Sequence, residues 1–425
     1  MSLPFSMNVY RAVTAMAAPL TGPLLRWRAG AGKEDIARLD ERFGRTNAPR
    51  PAGTLIWLHG ASVGETRVLM QIHAALAAQR PDVSFLFTSG TRTSAGLFTK
   101  PLTRAIHQYV PLDRVAVAQR FLAHWRPDVA VFAESDIWPN LIEETARSGA
   151  KLALVNARIS PRSLASWTRT PETARHLLGR FETILAADPR TAEGITRLTG
   201  RAVEAPGNLK LAAPPPAVDP ASLAAARAEI GDRPVWLAAS THAGEDEIVL
   251  AAHDQILAAH PNALLVIAPR HPERGEAIAR LANGAPRRSS RDGFGAAPVF
   301  IADTIGELGL FYALAPVSLV AGSLLPELKG HNPVEPVKLD SAVLTGPHVE
   351  SFADTFADLV AAHGAVMVPD ADAIAQMVMH LWRHEPERRA LLEAAAGVTS
   401  RGGASLERTI AALDHLLPDA THAAA

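Results

Sequence analysis

The most reactive-looking stretch of the chain is His59-Gly60-Ala61-Ser62-Val63-Gly64-Glu65, where a carboxylate stands behind two glycines at the end of an apolar run, residues 54–58. The pattern predicts a buried strand turning into a helix that begins near Thr66. Glycine at such a turn allows close backbone approach and positive φ, while the first N–H groups of the helix favour an anionic neighbour. Glu65 is therefore a candidate general base. The same spacing also suits an acidic cap on the first helical turn. A second carboxylate pair, Glu134-Ser135-Asp136, follows the apolar run 129–132, and in extended backbone both side chains share a face. Glu134 would hold a substrate hydroxyl or orient the first carboxylate. For Asp136 the favoured role is an N-cap of the helix that Pro139 opens. Asn156-Ala157-Arg158-Ile159-Ser160 offers further polar groups, with Arg158 equally suited to a structural clamp, and Gly207-Asn208-Leu209-Lys210 carries a cation suited to an anionic donor.

The second half offers a different chemistry at its predicted strand ends. Ser240-Thr241-His242, Pro269-Arg270-His271-Pro272-Glu273-Arg274, Ile305-Gly306-Glu307 and Gly322-Ser323 supply hydroxyls, a guanidinium and helix starts, the groups that hold a phosphate. A nucleoside monophosphate fits them. Gly330-His331-Asn332-Pro333-Val334-Glu335-Pro336 adds a turn whose Pro333 suits a first helical position, leaving neighbouring N–H groups for a ligand, and whose Glu335 suits a ribose. None of the 16 histidines falls in H-E-x-x-H or another dense ligand spacing, so no metal site and no cofactor are expected. Neither G-x-x-x-x-G-K-S/T nor G-x-S-x-G occurs, which removes P-loop nucleotidases and serine hydrolases.

The elements that must position these residues alternate along the chain. Apolar runs at 54–58, 83–88, 129–132, 152–155 and 183–186 are separated by amphipathic stretches such as 66–79 and 115–124, and a second series runs 235–239, 263–268, 299–301, 317–321 and 342–344. Strands that are apolar throughout belong to parallel sheets covered on both faces, so two doubly wound α/β domains facing across a cleft are expected. Pro214-Pro215-Pro216 and Asp219-Pro220 mark the linker within 207–223. The expected divisions are 1–35, a membrane-associating segment; 36–212, an acceptor-binding domain; 213–395, a donor-binding domain; and 396–425, a C-terminal helix and tail. With 425 residues, 48% hydrophobic content and a net charge of −1, the chain has material for two cores and no broad basic surface for nucleic acid. The absence of cysteine excludes disulfides and thiolate metal sites. Residues 7–25 are mostly apolar but contain Arg11, Pro19, Gly22 and Pro23 and end in Arg26-Trp27-Arg28, which suits a segment lying in a membrane interface better than one spanning it or an export signal. An ordinary helix packed on its own domain is the alternative.

Taken in order, HGASVGE, ESDIWPN, NARIS, GNLK, PRHPER, the IGEL turn and GHNPVEP resemble the 3-deoxy-D-manno-octulosonic acid (Kdo) transferase family of lipid A biosynthesis. The resemblance runs from about Asp40 to the C-terminal helices. It implies a two-domain GT-B glycosyltransferase, independent of metal, that moves Kdo from CMP-Kdo to lipid IVA with inversion, at the cytoplasmic face of the inner membrane. By the same resemblance Glu65 matches the catalytic base, Glu134 and Lys210 match groups that stabilise the transition state, and Pro269, Arg270, Ile305 to Glu307 and Asn332 to Glu335 match CMP contacts. Where the family commonly carries Glu-x-Glu, this chain has Glu134-Ser135-Asp136. The alternative enzyme reading is another GT-B member or a nucleotide-sugar 2-epimerase using a UDP-sugar. The non-enzymatic one is a two-domain ligand-binding module of periplasmic type.

Overall fold

A computed structural model describes residues 3–419 of the chain, so the outermost residues of the expected first and last segments, 1–2 and 420–425, lie outside it. The chain divides into two compact units, one of residues 1–213 with 401–425 and the other of residues 214–400.

The first unit holds β1 (Leu55–His59), β2 (Ser84–Ser89), β3 (Ala105–Tyr109), β4 (Val129–Ala133), β5 (Lys151–Ala157) and β6 (Phe181–Ala186), in the order β3-β2-β1-β4-β5-β6. The second holds β7 (Val235–Thr241), β8 (Leu264–Pro269), β9 (Val299–Ile301), β10 (Val317–Val320), β11 (Ala342–Thr345) and β12 (Ala365–Met367), in the order β12-β11-β10-β7-β8-β9. Numbered within its own unit and read from the other edge, the second sheet has the order of the first. Every pairing is parallel. The central strands β1, β4 and β8 are buried at every position, because helices cover both faces, and this is the doubly wound class read from the apolar runs.

Two strands were not anticipated. β3 and β12 each lie at one edge of their sheet, and both depart from the apolar pattern: β3 carries His107 and Gln108, and β12 has three residues with Met367 exposed. The helix after β1 begins at Val63 rather than near Thr66, because Ser62 caps it. Asp219 and Pro220, read as part of the linker, start a helix instead, Pro220–Ile230, with the Asp219 side chain accepting from the N–H of Ser222 at 2.9 Å. The helix Glu385–Asp414 passes from the second unit into the first, where Ile410, Leu413, Leu416 and Leu417 join the apolar cluster of Ile56, Leu58 and Phe85. Residues 5–30 form two successive helices, Phe5–Met16 and Ala18–Gly30. Among the described residues no helix is long and apolar enough to cross a membrane.

Candidate functional site

In a doubly wound sheet the loops at the carboxyl ends diverge where the strand order reverses, and ligands bind there. In the first unit that place is the pair β1 and β4, whose loops carry Glu65 and Glu134. Glu65 occupies the third position of the helix Val63–Gln79 in a capping box. Ser62 Oγ accepts from the N–H of Glu65 at 3.3 Å, and Glu65 Oε2 accepts from the N–H groups of Ala61 at 2.6 Å and Ser62 at 3.2 Å. The cap and the candidate base are thus one side chain. Burial, followed by the charges of Asp136 and Glu134, pushes the Glu65 carboxyl above the ordinary range, and the two N–H donors only partly oppose the shift. Gly60 serves closeness rather than positive φ: a Cβ there would stand 2.9 Å from Glu65 Cβ and 3.0 Å from Leu69 Cδ1. Neither Gly60 nor Gly64 takes up a left-handed conformation.

Glu134 follows β4 with φ of 58°, a strained conformation for a residue other than glycine, costing on the order of 1 kcal/mol or more. Its Oε1 lies 2.7 Å from Lys210 Nζ and accepts from Asn156 Nδ2 at 3.3 Å. Asn156, at φ 50°, accepts in turn from the N–H of Leu209 through Oδ1 at 2.9 Å, so the short 3-10 turn bearing Lys210 is pinned to the end of β5. A Cβ on Gly64 would stand 3.9 Å from Lys210 Nζ, which places the ammonium beside the first turn of the Glu65 helix. Asp136 is not the expected N-cap. Trp138 fills that position with no side-chain cap, and Asp136 Oδ2 instead stands 2.7 Å from Nε2 of the fully buried His59.

In the second unit the strand order reverses between β7 and β10. Ser240, the penultimate residue of β7, has φ 63° and is partly exposed, whereas Thr241, which ends the strand, is buried. Pro269 is buried at the end of β8, and Arg270 beyond it is exposed. Three rings gather there: His242 Nε2 lies 2.9 Å from His331 Nε2 with the rings stacked at 5.1 Å, and His271 meets His242 edge-on at 5.7 Å. Burial first, then its cationic neighbours, lowers His331 to about 4, and burial also lowers His242. Near neutral pH both rings are uncharged, and an arriving anion would favour their protonation. Ile305 is 88% exposed beside Gly306 at φ 90°.

Several residues named from the sequence are consumed within the fold. Ser323 is fully buried, its hydroxyl donating to Val320 O at 2.8 Å and accepting from the N–H of Gly346 at 2.8 Å. The N–H groups of Gly322 and Ser323 go to the Glu245 carboxylate at 2.8 and 2.9 Å, so neither offers a ligand the amide expected of it. Glu307 is clamped by Arg288 at 2.6 Å and Thr304 at 2.5 Å, which holds its carboxyl below the ordinary range. Pro333 is the N-cap of the single-turn helix Val334–Val337 rather than its first residue, and the N–H of Val334 is already accepted by Asn332 Oδ1 at 3.1 Å. Asn332 Nδ2 also donates to Glu335 Oε1 at 3.2 Å. Glu245, His59 and the stacked histidines were missed as working parts. Their only sequence signal is a polar residue at an apolar strand's end or in the first helical turn after it.

Residues 37–213 match the family model described as 3-deoxy-D-manno-octulosonic-acid transferase (kdotransferase). A probable 3-deoxy-D-manno-octulosonic acid transferase, mitochondrial, of Arabidopsis thaliana is 33% identical over 82% of this chain and 81% of its own, and the 3-deoxy-D-manno-octulosonic acid transferase of Bordetella pertussis is 31% identical over 96% and 99%. The chain belongs to the Kdo transferase family. It is accordingly a glycosyltransferase, and its two Rossmann-like domains are of the GT-B class. A glycosyltransferase structure from Rickettsia africae shares the fold, with a TM-score of 0.57 at 12% identity over 87% of this chain and all of that one. Kdo transfer in lipid A core biosynthesis follows from the family, and nothing favours the UDP-sugar alternatives.

Proposed function

We propose that the chain moves Kdo from CMP-Kdo to the glucosamine disaccharide of lipid IVA with inversion, the domain of residues 36–212 handling the acceptor and that of 213–395 the donor. The observation that carries this reading is Glu65, a partly buried carboxylate of raised proton affinity held at the point where the first sheet reverses its order. In the proposed step the acceptor hydroxyl oxygen attacks the anomeric carbon of Kdo, Glu65 takes the hydroxyl proton, and the bond from that carbon to the CMP phosphate oxygen breaks. CMP leaves with the electron pair. Lys210, held by Glu134, is the fixed cation near the reacting sugar acid, and Arg270 with the histidine cluster supplies the charge that receives the phosphate, so no metal is required. Ser240 and the exposed turn at Ile305 and Gly306 are the further donor contacts in this reading. Incubation with CMP-Kdo and lipid IVA, followed by mass spectrometry, is expected to show the acceptor heavier by Kdo residues. Transfer from a UDP-sugar instead would overturn the reading.

A second element of the reading is a membrane surface on the cytoplasmic side of the inner membrane, met by residues 3–35. Phe5, Val9, Val13, Met16, Leu20, Leu24 and Trp27 recur every three or four residues and are all exposed. The opposite side of the first helix is moored to the protein: the Tyr10 hydroxyl donates to Asp113 Oδ2 at 2.7 Å, Arg11 pairs with Glu144 at 2.8 Å, and Thr14 Oγ1 accepts from Asn140 Nδ2 at 3.1 Å. The apolar face therefore points outward, beside the exposed Arg26 and Lys33, which suit anionic head groups, whereas Arg28 is paired with Glu34 at 3.0 Å. Replacement of Phe5, Met16 and Trp27 by serine is expected to reduce co-sedimentation with anionic vesicles. Unchanged sedimentation would remove this surface.

A further inference from the structure

A further group of chemistry-bearing side chains stands away from both strand-order reversals. The helix Ala371–Arg383 ends where Pro386 can no longer donate an N–H to the preceding turn, and the helix Glu385–Asp414 begins at once. His384 is the joint, at φ −114° and ψ 71°. Around it gather His380, His384 and Glu387, the one such group among the described residues whose candidate ligand atoms all lie within 4.8 Å of one another. His380 Nε2 stands 2.7 Å from Glu387 Oε2, and the two imidazole rings stack at 4.2 Å. His384 Nδ1 lies 3.0 Å from the carbonyl oxygen of His380. A carbonyl only accepts, so the hydrogen of the neutral ring sits on Nδ1 and the lone pair on Nε2. That Nε2 has no hydrogen-bond partner among the described residues. The nearby basic side chains are occupied elsewhere: Arg388 donates to Leu381 O at 3.1 Å, Arg389 pairs with Glu385 at 2.7 Å, and Arg383 Nη2 lies 3.5 Å from His260 Nε2.

We propose that His380, His384 and Glu387 form a binding site for a divalent transition cation of the zinc class, which fixes the joint between these two helices. Two imidazoles and a carboxylate are a donor set that such ions take, and a water at the exposed fourth position would complete a tetrahedron. With bonds of about 2.0–2.1 Å the ligand atoms of a tetrahedral site stand roughly 3.3 Å apart, so rotation of these surface side chains is enough to close the cluster. His380 and Glu387 are 40% and 61% exposed, which leaves an ion a path in. The contact from His384 to the His380 carbonyl is the outer bond by which metal-binding imidazoles hold their tautomer. A plain surface ion pair needs one ring, and His380 with Glu387 already makes it. The second ring, its Nδ1 turned to the backbone, is what a third ligand requires. The joint lies at the amino end of the second sheet, where Trp382 meets His260, just before β8, edge-on at 5.7 Å. Ser240 and Arg270 lie at the carboxyl end, so the site is structural and independent of the reaction proposed above. No metal site was expected from the spacing of the histidines. A break between helices, rather than a contiguous H-E-x-x-H, brings the third ligand back.

Calorimetry on the untagged full-length protein, stripped with a chelator and titrated with zinc chloride, tests the site. One bound equivalent is expected to disappear in His384→Ala and in His380→Ala, and to weaken by about tenfold or more in Glu387→Gln. These side chains lie at the surface, so circular dichroism of the three variants is expected to match wild type. His260→Ala removes a neighbouring ring from outside the cluster and is expected to keep the equivalent. Magnesium chloride, whose ion prefers an all-oxygen shell, is expected to bind at least about a hundredfold more weakly. At a zinc concentration a hundred times the dissociation constant, the melting temperature is expected to rise by about 5 °C in wild type and not in His384→Ala. Absence of zinc binding in wild type overturns the proposal, as does binding of the same stoichiometry and affinity in His384→Ala. Loss of the equivalent in His260→Ala, or magnesium bound as tightly as zinc, overturns the assigned ligands or the assigned ion. A melting temperature that zinc leaves unmoved overturns the fixing of the joint.

Discussion

Glu65 and Glu245 occupy matching places in the two sheets. Each lies in the first turn of the helix that follows the first strand of its unit, β1 or β7. Their environments diverge. Glu245 is fully buried and accepts four backbone N–H groups, from His242 at 3.0 Å, Gly322 at 2.8 Å, Ser323 at 2.9 Å and Leu324 at 3.0 Å, using both oxygens. Glu65 accepts two, through one oxygen, and faces two other carboxylates. A carboxylate with every lone-pair direction engaged is a staple for the loop after β10. One that is half engaged beside like charges keeps an affinity for protons. What separates structure from chemistry here is how many of its hydrogen bonds the fold has already used.

Substitutions can break this comparison, and the largest expected effect comes from Glu65→Gln, which keeps the cap but cannot take a proton. It is expected to lower transfer about a thousandfold while leaving CMP binding, read by calorimetry, and circular dichroism unchanged. Glu245→Gln is expected to do the reverse, lowering stability by about 3 kcal/mol because an amide satisfies fewer of those N–H groups. Denaturant unfolding checks it, and an unfolding free energy equal to wild type would remove the staple assignment. Arg270→Ala is expected to weaken CMP about tenfold, the cost of one charge-assisted hydrogen bond, with acceptor affinity unchanged; equal losses for both ligands would contradict the assignment of Arg270 to the donor. The smallest effect sharpens the comparison through pH. Because the folded protein raises the Glu65 carboxyl above its unfolded value, its contribution to stability is complete below the unfolded value and is lost as pH rises through the folded one. The melting temperature of Glu65→Gln is therefore expected to climb relative to wild type between pH 4 and pH 8. A difference that stays flat with pH would contradict the shift.

Ten of the twelve strands were legible from the apolar runs within them, which burial between helices leaves in the sequence. β3 and β12 were not, since His107 and Gln108 interrupt the apolar run of β3, and β12 is three residues long with Met367 exposed. Glu65 and Glu134 were legible as strand-end residues and Lys210 as a cation just before the linker; the structure pairs Lys210 with Glu134 and sets it beside the first turn of the Glu65 helix. The local signal misled wherever the partner came from elsewhere in the chain. Asp136 has the spacing of an N-cap but meets His59, and Ser323 has the look of a ligand hydroxyl but is spent on Val320 and Gly346. Periodicity reports which face is buried. It does not report which distant polar atom has reached a side chain first.

The first unit also closes with the end of the chain. Leu413, Leu416 and Leu417 fill the same cluster as Ile56 and Phe85, while the whole of residues 214–400 intervenes. During synthesis the ribosome delivers the sheet of the first unit early and its last apolar side chains hundreds of peptide bonds later. The second unit, continuous in sequence, can reach its native state while the first still waits. A ribosome stalled shortly after residue 400 should hold a protease-resistant second unit beside a protease-sensitive first one.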